Sequence, residues 1–287
     1  MAEKVAPVGL KPETLQAFES YIRTEEAAMP GNELQWPDRK GRIAAAYSKG
    51  KGPERIPAGL IHDWIGVAMI PGATIQNTLA RMQDYDNHKN IYQPDVIDSR
   101  LIARHQDDFQ IQLRLLKKKI ITVVLDTDHA VHYFHLDSRH CGCRSYTTRV
   151  AEVDDAGKPN EIVHPPDTGY GFLWRLNSYW RLSQQDGAVI IECRAISLTR
   201  DVPAVLRLIV DPMVRSLPKE ALIHTLKATA TPFCALVKSP DDKLNQCPMI
   251  SWHAWKNGSR ALAAGIRRTC IACCTRRQPT NSMIPIP

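Results

Sequence analysis

The sequence has no long apolar run. Its longest apolar stretch, "IITVVL", has the length of a β-strand, well short of the roughly 18 to 20 residues in a membrane-spanning helix. The N-terminal segment "MAEKVAPVGLKPETLQ" also lacks the apolar core of a secretion signal. We therefore expect a cytoplasmic protein, and a periplasmic location is the alternative if this N-terminus is incomplete.

The sequence also has little net charge outside its C-terminal part. Residues from Lys238 onward carry +6 of the total charge of +7, which leaves +1 for residues 1–237. Nucleic-acid binding requires basic groups clustered on a folded surface, so we expect no nucleic-acid partner. The 287 residues and the hydrophobic content of 44% are sufficient for a substantial core.

The cysteines do not have the spacing of a disulfide framework or of a zinc site. Five of the eight lie in the C-terminal tail, three of them in "CIACC", and properly spaced ligand pairs are absent. We expect reduced thiols, no metal and no other cofactor.

The N-terminal part of the chain predicts one helix and a long connection. Apolar side chains recur at helical spacing in residues 11–28. Residues 29–42 and 48–59 are rich in proline, glycine and charge, which is typical of connecting segments. From Ile61 a strand follows, and after it come two short helices, the first over residues 74–82.

A series of β-segments separated by polar turns occupies the middle of the chain. We predict strands at 96–104, 108–117, 119–126, 129–136, 143–154, 171–182 and 188–199, with 119–136 as one bulged strand in the alternative interpretation. Pro218 suits the first turn of a final helix that ends near Thr229. Such a sheet cannot bury its own faces, so the closing helix is expected to cover the concave one.

The order of these elements resembles the START-like, or SRPBCC, superfamily, whose helix-grip fold is shared by lipid-transfer domains, polyketide cyclases and coenzyme Q-binding proteins. The residues that carry the resemblance are "GVAMIPGATIQNTLARMQDYDNHKNIYQPDVIDSRLI", "GFLWRLNSYWRL", "VIIECRAISLTRDVP" and "LPKEALIHTLKAT". Among members of this superfamily, the sequence resembles bacterial ones. The resemblance implies a hydrophobic ligand cavity and supplies no universal catalytic residues.

The resulting fold prediction is an α+β helix-grip fold. It has a curved antiparallel sheet of six to seven strands around a long C-terminal helix, and two short helices follow the first strand. We divide the chain into an N-terminal helix and linker at 1–59, a START-like ligand-binding domain at 60–232 and a tail at 233–287, which we expect to be disordered.

The predicted ligand site comes from strand alternation in the last two strands. In "GFLWRLNSYWRL" the bulky apolar residues share one face, and small residues of the last strand lie opposite them. A filled core is the alternative interpretation. The candidate ligand-binding residues are Phe172, Trp174, Leu176, Trp180, Val189, Ile191, Cys193 and Ala195.

Catalytic candidates are His62, Asp63 and His88, which lie where helix-grip pockets often open and could act as general acid or base. Helix caps and solvated turns are the alternative for such residues. The histidines around His129, His132 and His135 alternate along a strand and are too far apart to share a metal ion, so they are interpreted as a solvated edge.

The predicted function is non-enzymatic binding or carriage of a hydrophobic small molecule, such as a lipid or quinone, between the sheet and the final helix. A cyclase-type or hydrolase-type enzyme in the same cavity and a ligand-free interaction module are the alternatives. The lysines at 117–119 could give a transient contact with an anionic membrane surface, although a run this short is also typical of a solvated strand end. The sequence makes no prediction of oligomeric state.

Overall fold

The computed structural model describes residues 7–29, 43–49, 52–118, 121–201 and 207–231. The chain divides into two compact units, Met1–Leu236 and Val237–Pro287, and all described residues belong to the first. The predicted disordered tail at 233–287 lies outside the described residues.

Within the described residues the helices are α1 (Pro12–Ala28), α2 (Ile75–Met82), α3 (His88–Ile91) and α4 (Arg207–Ala230), and a short 3-10 turn covers Tyr85–Asn87. The long strands are β4 (Gly59–Pro71), β5 (Val96–His105), β6 (Asp108–Lys118), β7 (Thr122–His135), β8 (His140–Asp154), β11 (Arg175–Gln185) and β12 (Ala188–Arg200). The short strands are β1 (Val8–Gly9), β2 (Ile43–Tyr47), β3 (Glu54–Ile56), β9 (Ile162–Val163) and β10 (Thr168–Gly169).

The main sheet is antiparallel and has the order β2-β4-β12-β11-β8-β7-β6-β5 in the part of the chain that is described, while β3 pairs with β4 and β9 with β8. Neighbours β5 to β8 are consecutive in sequence, as are β11 and β12, because polar turns reverse the chain between them. The turn between β11 and β12 uses Gly187, whose φ of +76° favours glycine. Residues 122–135 form one strand, and its register with β8 shifts between Asp128 and His129, which confirms the single-strand interpretation with a bulge.

Strand β2 was not predicted, and it extends the sheet into the region assigned as linker. Its sequence "IAAAY" pairs with β4 from Ile43 opposite Ala68 to Tyr47 opposite Trp64. Alanine has low strand propensity, so the local pattern gave little signal. The sheet therefore begins N-terminal to the predicted domain boundary at residue 60.

Helix α4 covers the concave face of the sheet. Leu222 and Leu226 belong to the same apolar cluster as Trp64 and Trp180. A Cβ atom at Gly66 would lie 2.6 Å from Leu226 Cδ1, so the glycine allows this close approach. The predicted start of the helix at Pro218 is wrong, because α4 begins at Arg207 and continues through that proline.

Helix α1 packs on the convex face. Its buried residues recur at helical spacing and are Thr14, Phe18, Ile22 and Glu25. Pro12 suits the first turn, because a backbone N–H at that position would have no acceptor within the helix and its absence costs no hydrogen bond. Phe18 and Ile22 contact a second apolar cluster that includes Ile61 and Ile196. The sheet is thus covered by a helix on each face, and the predicted α+β fold, an antiparallel sheet with a long C-terminal helix packed on it, is confirmed. The main sheet has ten strands in the described residues, where six to seven were predicted, because the short strands β2, β3 and β9 add to the seven long ones.

Candidate functional site

The centre of the concave face combines large and small side chains. Trp180 lies in register between Cys143 of β8 and Cys193 of β12, and all three are buried. Directly opposed residues in a sheet share a face, so each thiol lies beside the indole. The predicted opposition of small and large residues is therefore present around Trp180.

A second tryptophan lines the same face. Trp64 of β4 lies opposite Ala195 of β12 and Tyr47 of β2, and its ring stacks on Tyr47 with 3.8 Å between the ring centroids. The Lys219 ammonium of α4 lies 5.6 Å from the Trp64 ring centroid. Trp64 is 5% exposed, and its indole Nε1 is buried and makes no hydrogen bond with the described residues. The indole N–H is therefore a donor available to a bound acceptor.

Two pairs of polar groups are buried with these apolar side chains. His62 Nε2 and Thr199 Oγ1 are 3.1 Å apart, and the hydroxyls of Tyr85 and Tyr133 are 2.8 Å apart. Burial raises the pKa of both tyrosines above their ordinary value, so the phenols remain protonated. The tyrosine pair is therefore a neutral hydrogen-bonding element in an apolar setting.

His129 lies deeper in the sheet than the solvated-edge interpretation predicted. It is 6% exposed, and its Nε2 is 3.0 Å from Thr127 Oγ1 while its Nδ1 is 3.4 Å from Ser145 Oγ. Burial lowers the pKa of His129 to about 4, so the imidazole is neutral at physiological pH. The solvated-edge interpretation is wrong for this histidine, while His132 and His135 are exposed.

The predicted ligand-binding residues occupy different places. Trp180, Val189, Ile191 and Cys193 belong to the concave apolar cluster, and Ala195 packs against it. Leu176 alternates in phase with Trp180 along β11 and is half-buried.

Trp174 does not share that face, and Phe172 lies before the strand at the surface. Trp174 belongs to the convex cluster beneath α1, and Phe172 is 37% exposed. The alternation fails because β11 begins only at Arg175, and Gly171 has a φ of +77°, so the chain before the strand changes direction. The predicted placement of Trp174 on the concave face is wrong.

The catalytic candidates are not brought together. His62 faces the concave side, whereas its neighbour Asp63 faces the convex side, as alternation requires. Asp63 accepts hydrogen bonds from Arg194 Nε at 2.8 Å and from the Tyr21 hydroxyl at 2.7 Å. Asp63 therefore anchors α1 and is not part of the concave site.

His88 has a local structural partner. Its Nε2 lies 3.0 Å from the Met82 carbonyl oxygen, so the Nε2–H group donates a hydrogen bond to that oxygen. Burial lowers the pKa of His88 to about 4, and the ring contacts those of Tyr85 and Tyr92. These contacts fix the turn between α2 and α3.

A separate cavity of about 300 Å³ lies near the β5 edge of the sheet. Its lining includes Gln110, Ala130 and His132, which alternate with the concave residues Ile111 and Val131 and so lie on the convex face. His132 Nδ1 is 2.7 Å from Asp108 Oδ1, and both side chains are more than half exposed. This cavity is distinct from the interior under α4.

In the described residues no group of three or more His, Cys, Asp or Glu residues is placed to hold a metal ion, and no helix there combines the length and apolar character needed to cross a membrane. Lys117 pairs with Asp95, Lys118 is exposed, and Lys119 lies outside the described residues.

The chain is similar to several solved structures at low sequence identity. The chain is similar to human STARD10 at 13% sequence identity and a TM-score of 0.40, over 77% of this chain and 81% of that one. It is similar to a STAR-related lipid transfer protein from Xanthomonas axonopodis at 14% identity and a TM-score of 0.38, over 67% and 100%. The Zhui aromatase/cyclase from Streptomyces matches at 11% identity and a TM-score of 0.35, over 59% and 92%. No protein-family model matches the sequence, and no curated protein matches it either.

Proposed function

We propose that this protein binds or carries a hydrophobic small molecule, such as a lipid or quinone, between the concave face of the sheet and helix α4. The opposition of large and small side chains on that face carries the proposal. Trp180 lies between Cys143 and Cys193, and Trp64 lies opposite Ala195. Small side chains beside indole rings leave room that an apolar ligand can fill without displacing the backbone.

The binding energy would come from burial of apolar surface. Each square ångström removed from water contributes about 25 cal/mol, and the ordering of ligand and side chains offsets part of this gain. Because both indoles and the aliphatic side chains of β12 are already ordered by their neighbours, little ordering remains for the protein on binding.

Native mass spectrometry and lipid extraction of the full chain test the proposal. Wild type is compared with Ala195→Trp, which fills the space beside Trp64, and with Ala46→Trp. Ala46 is exposed on β2 and alternates with Ala45, which packs on the concave cluster, so its side chain points to the other face. Ala46→Trp is therefore the control for adding an indole outside the candidate site. We expect wild type and Ala46→Trp to carry or take up an apolar molecule that Ala195→Trp excludes.

A clean mass for all three proteins, with no uptake of added lipid or quinone, would overturn the proposal and favour the ligand-free interaction module. Equal uptake by Ala195→Trp would place the ligand elsewhere.

An enzyme that uses the same interior is the second candidate, because His62 is fully buried on the concave side and its imidazole lies 3.1 Å from a hydroxyl. His is the side chain most often used for proton transfer. If the protein is a cyclase or hydrolase, His62→Gln should abolish turnover while ligand uptake in the same mass-spectrometric assay is retained. Asp63→Asn would then act only through stability.

A further inference from the structure

The concave face has two chemically different halves. The half that includes Trp64 and Trp180 is apolar and contacts Leu222 and Leu226 of α4. The other half contains a set of six side chains that carry hydroxyl or imidazole groups. We call this set the polar band and define it as His62, Ser197, Thr199, Ser178, Ser145 and His129.

The sheet register places the polar band on the concave side. Ser178 lies opposite Ala195 on one flank and Ser145 on the other, and Ser145 lies opposite Val131. Because Val131 belongs to the concave cluster and Ala195 packs on it, the two serines share that face.

The remaining members follow from alternation along the neighbouring strands. His62 lies opposite Ser197, two residues from the Trp64 and Ala195 pair, so both face the concave side. Thr199 is hydrogen-bonded to His62, and the His129 imidazole lies beside the Ser145 hydroxyl. The band therefore crosses five adjacent strands, β4, β12, β11, β8 and β7.

The polar band contains no carboxylate, ammonium or guanidinium group. Among the side chains that the structure describes, the charged ones nearby on the concave side are engaged or exposed. Arg81 donates to the Ala228 carbonyl oxygen at 2.9 Å, and Glu152 accepts from the backbone N–H groups of Tyr170 at 2.6 Å and Phe172 at 2.8 Å. Lys117 pairs with Asp95, while Arg104 and Lys219 are exposed and lie over the rings of Phe109 and Trp64.

A ligand that contacts both halves of the concave face needs an apolar part for one half and a polar end that suits the polar band. A charged end buried against the polar band would find no counter-ion among the described side chains and would lose its hydration, which is strongly unfavourable. An uncharged oxygen can instead exchange hydrogen bonds with the hydroxyls, and the buried Trp64 indole N–H, which only donates, adds a demand for an acceptor.

We propose that the ligand is amphipathic, with an uncharged, oxygen-bearing polar end on the polar band and an apolar body against Trp64 and Trp180. Alcohols, esters and ketones have this chemistry, and fatty acids, amines and phospholipids with charged ends do not. This assignment rests on the proposed function and names the ligand class for the same site.

Displacement of a neutral apolar dye, Nile red, from the full chain tests the assignment at pH 7.5. The competitors are decanol, decanoate, decylammonium and decane, which share one apolar chain and differ in the polar end. We expect decanol to displace the dye at a concentration at least about tenfold lower than decanoate or decylammonium. Decanoate is the informative anion, because Lys219 would favour it if that ammonium neutralised the bound end.

A variant pair separates the polar band from simple partitioning into an apolar interior. Ser145→Ala combined with Ser178→Ala should weaken decanol about tenfold, since each neutral hydrogen bond contributes about 0.5 to 1.5 kcal/mol, and should leave decane unchanged. Ser20→Ala combined with Ser138→Ala, at two exposed serines, is the matched control and should behave as wild type.

The two proposals fail in different ways. If the dye is not taken up and no competitor binds by mass spectrometry, the proposed function is wrong. If the dye binds but decanoate or decylammonium competes as well as decanol, or the serine variant leaves decanol unchanged, the ligand-binding function stands and the uncharged polar end is overturned.

Discussion

Arg194 of β12 donates a hydrogen bond from Nη2 to Glu25 Oε2 of helix α1 at 2.7 Å. The same guanidinium binds Asp63 of β4, whose carboxylate also accepts from the Tyr21 hydroxyl of α1. Burial raises the pKa of Glu25, but hydrogen bonds from Lys49 and Arg194 outweigh this effect and leave the pKa below its ordinary value. Helix α1 is thus held to the sheet by a buried set of ion pairs.

Arg194→Met should destabilise the protein by about 3 to 5 kcal/mol, because it leaves the carboxylates of Glu25 and Asp63, only 4% and 7% exposed, without their shared cation. The matched control is Arg55→Met, since the Arg55 side chain is 48% exposed and pairs with Asp201 at the surface. It should change the free energy of unfolding by about 1 kcal/mol or less. Urea unfolding followed by circular dichroism measures both, and equal effects would contradict the buried role.

Gly142→Ala should destabilise the protein by about 1 to 3 kcal/mol. An added Cβ would lie 2.5 Å from the Trp180 carbonyl oxygen and 2.8 Å from Phe134 Cζ, so the backbone of β8 or β11 must shift. Gly9→Ala is the control, because the nearest atom to its added Cβ is the Asp167 carbonyl oxygen at 4.0 Å. Thermal unfolding should show a lower Tm for Gly142→Ala alone. A Tm equal to that of the control would show that β8 and β11 accommodate the added Cβ atom at no cost in stability, which would contradict the close contact at Gly142.

His129 should make the fold less stable as pH falls from 7 to 5. The unfolded chain takes up a proton near the ordinary pKa of 6.5, while the folded state keeps the imidazole neutral down to about pH 4. In this range the unfolded state binds more protons, so the free energy of unfolding falls as pH falls. His129→Gln should remove about 1 to 2 kcal/mol of that decrease, as measured by urea unfolding at both pH values.

The control for this pH effect is His132→Gln, at an exposed position on the same strand. This variant retains His129, so its free energy of unfolding should fall between pH 7 and pH 5 as it does in the wild type. If His129→Gln has the same pH dependence as wild type, the imidazole is not held neutral in the fold.

The thiols of Cys141, Cys143 and Cys193 should resist iodoacetamide in the native protein and react once it is unfolded in urea. Burial raises the pKa of Cys141 to about 11 and those of Cys143 and Cys193 further, so the reactive thiolate is scarce as well as inaccessible. Peptide mass spectrometry of labelled native and unfolded samples gives the comparison for each cysteine. Native labelling of Cys193 at the unfolded rate would contradict the packed position beside Trp180.

The sequence predicted those elements whose signal is local. Strands β5, β6, β11 and β12 alternate and end at polar turns, so their positions follow from period and turn chemistry. Helix α1 follows from apolar spacing in the same way. Strand β2 lacked such a signal because three of its five residues are alanine.

The site was only partly predictable because side-chain direction depends on where a strand begins. Alternation correctly placed Trp180 and Cys193 on the concave face, and it failed at Trp174 because Gly171 redirects the chain before β11. The polar band combines residues of five strands, and its separate members look like ordinary strand serines, threonines and histidines. The pairing of Asp63 with Arg194 joins positions 131 residues apart, which no local pattern reveals.

The helix on each face divides every central strand into two independent sets of positions. In β12, one set faces the candidate ligand site and consists of Val189, Ile191, Cys193 and Ala195. The other set packs against or binds α1 and consists of Arg194, Ile196 and Leu198. Substitutions in the first set can therefore change which molecule is accepted while the second set maintains the folded structure. Selection on ligand choice and selection on stability act on adjacent residues of the same strand with little interference.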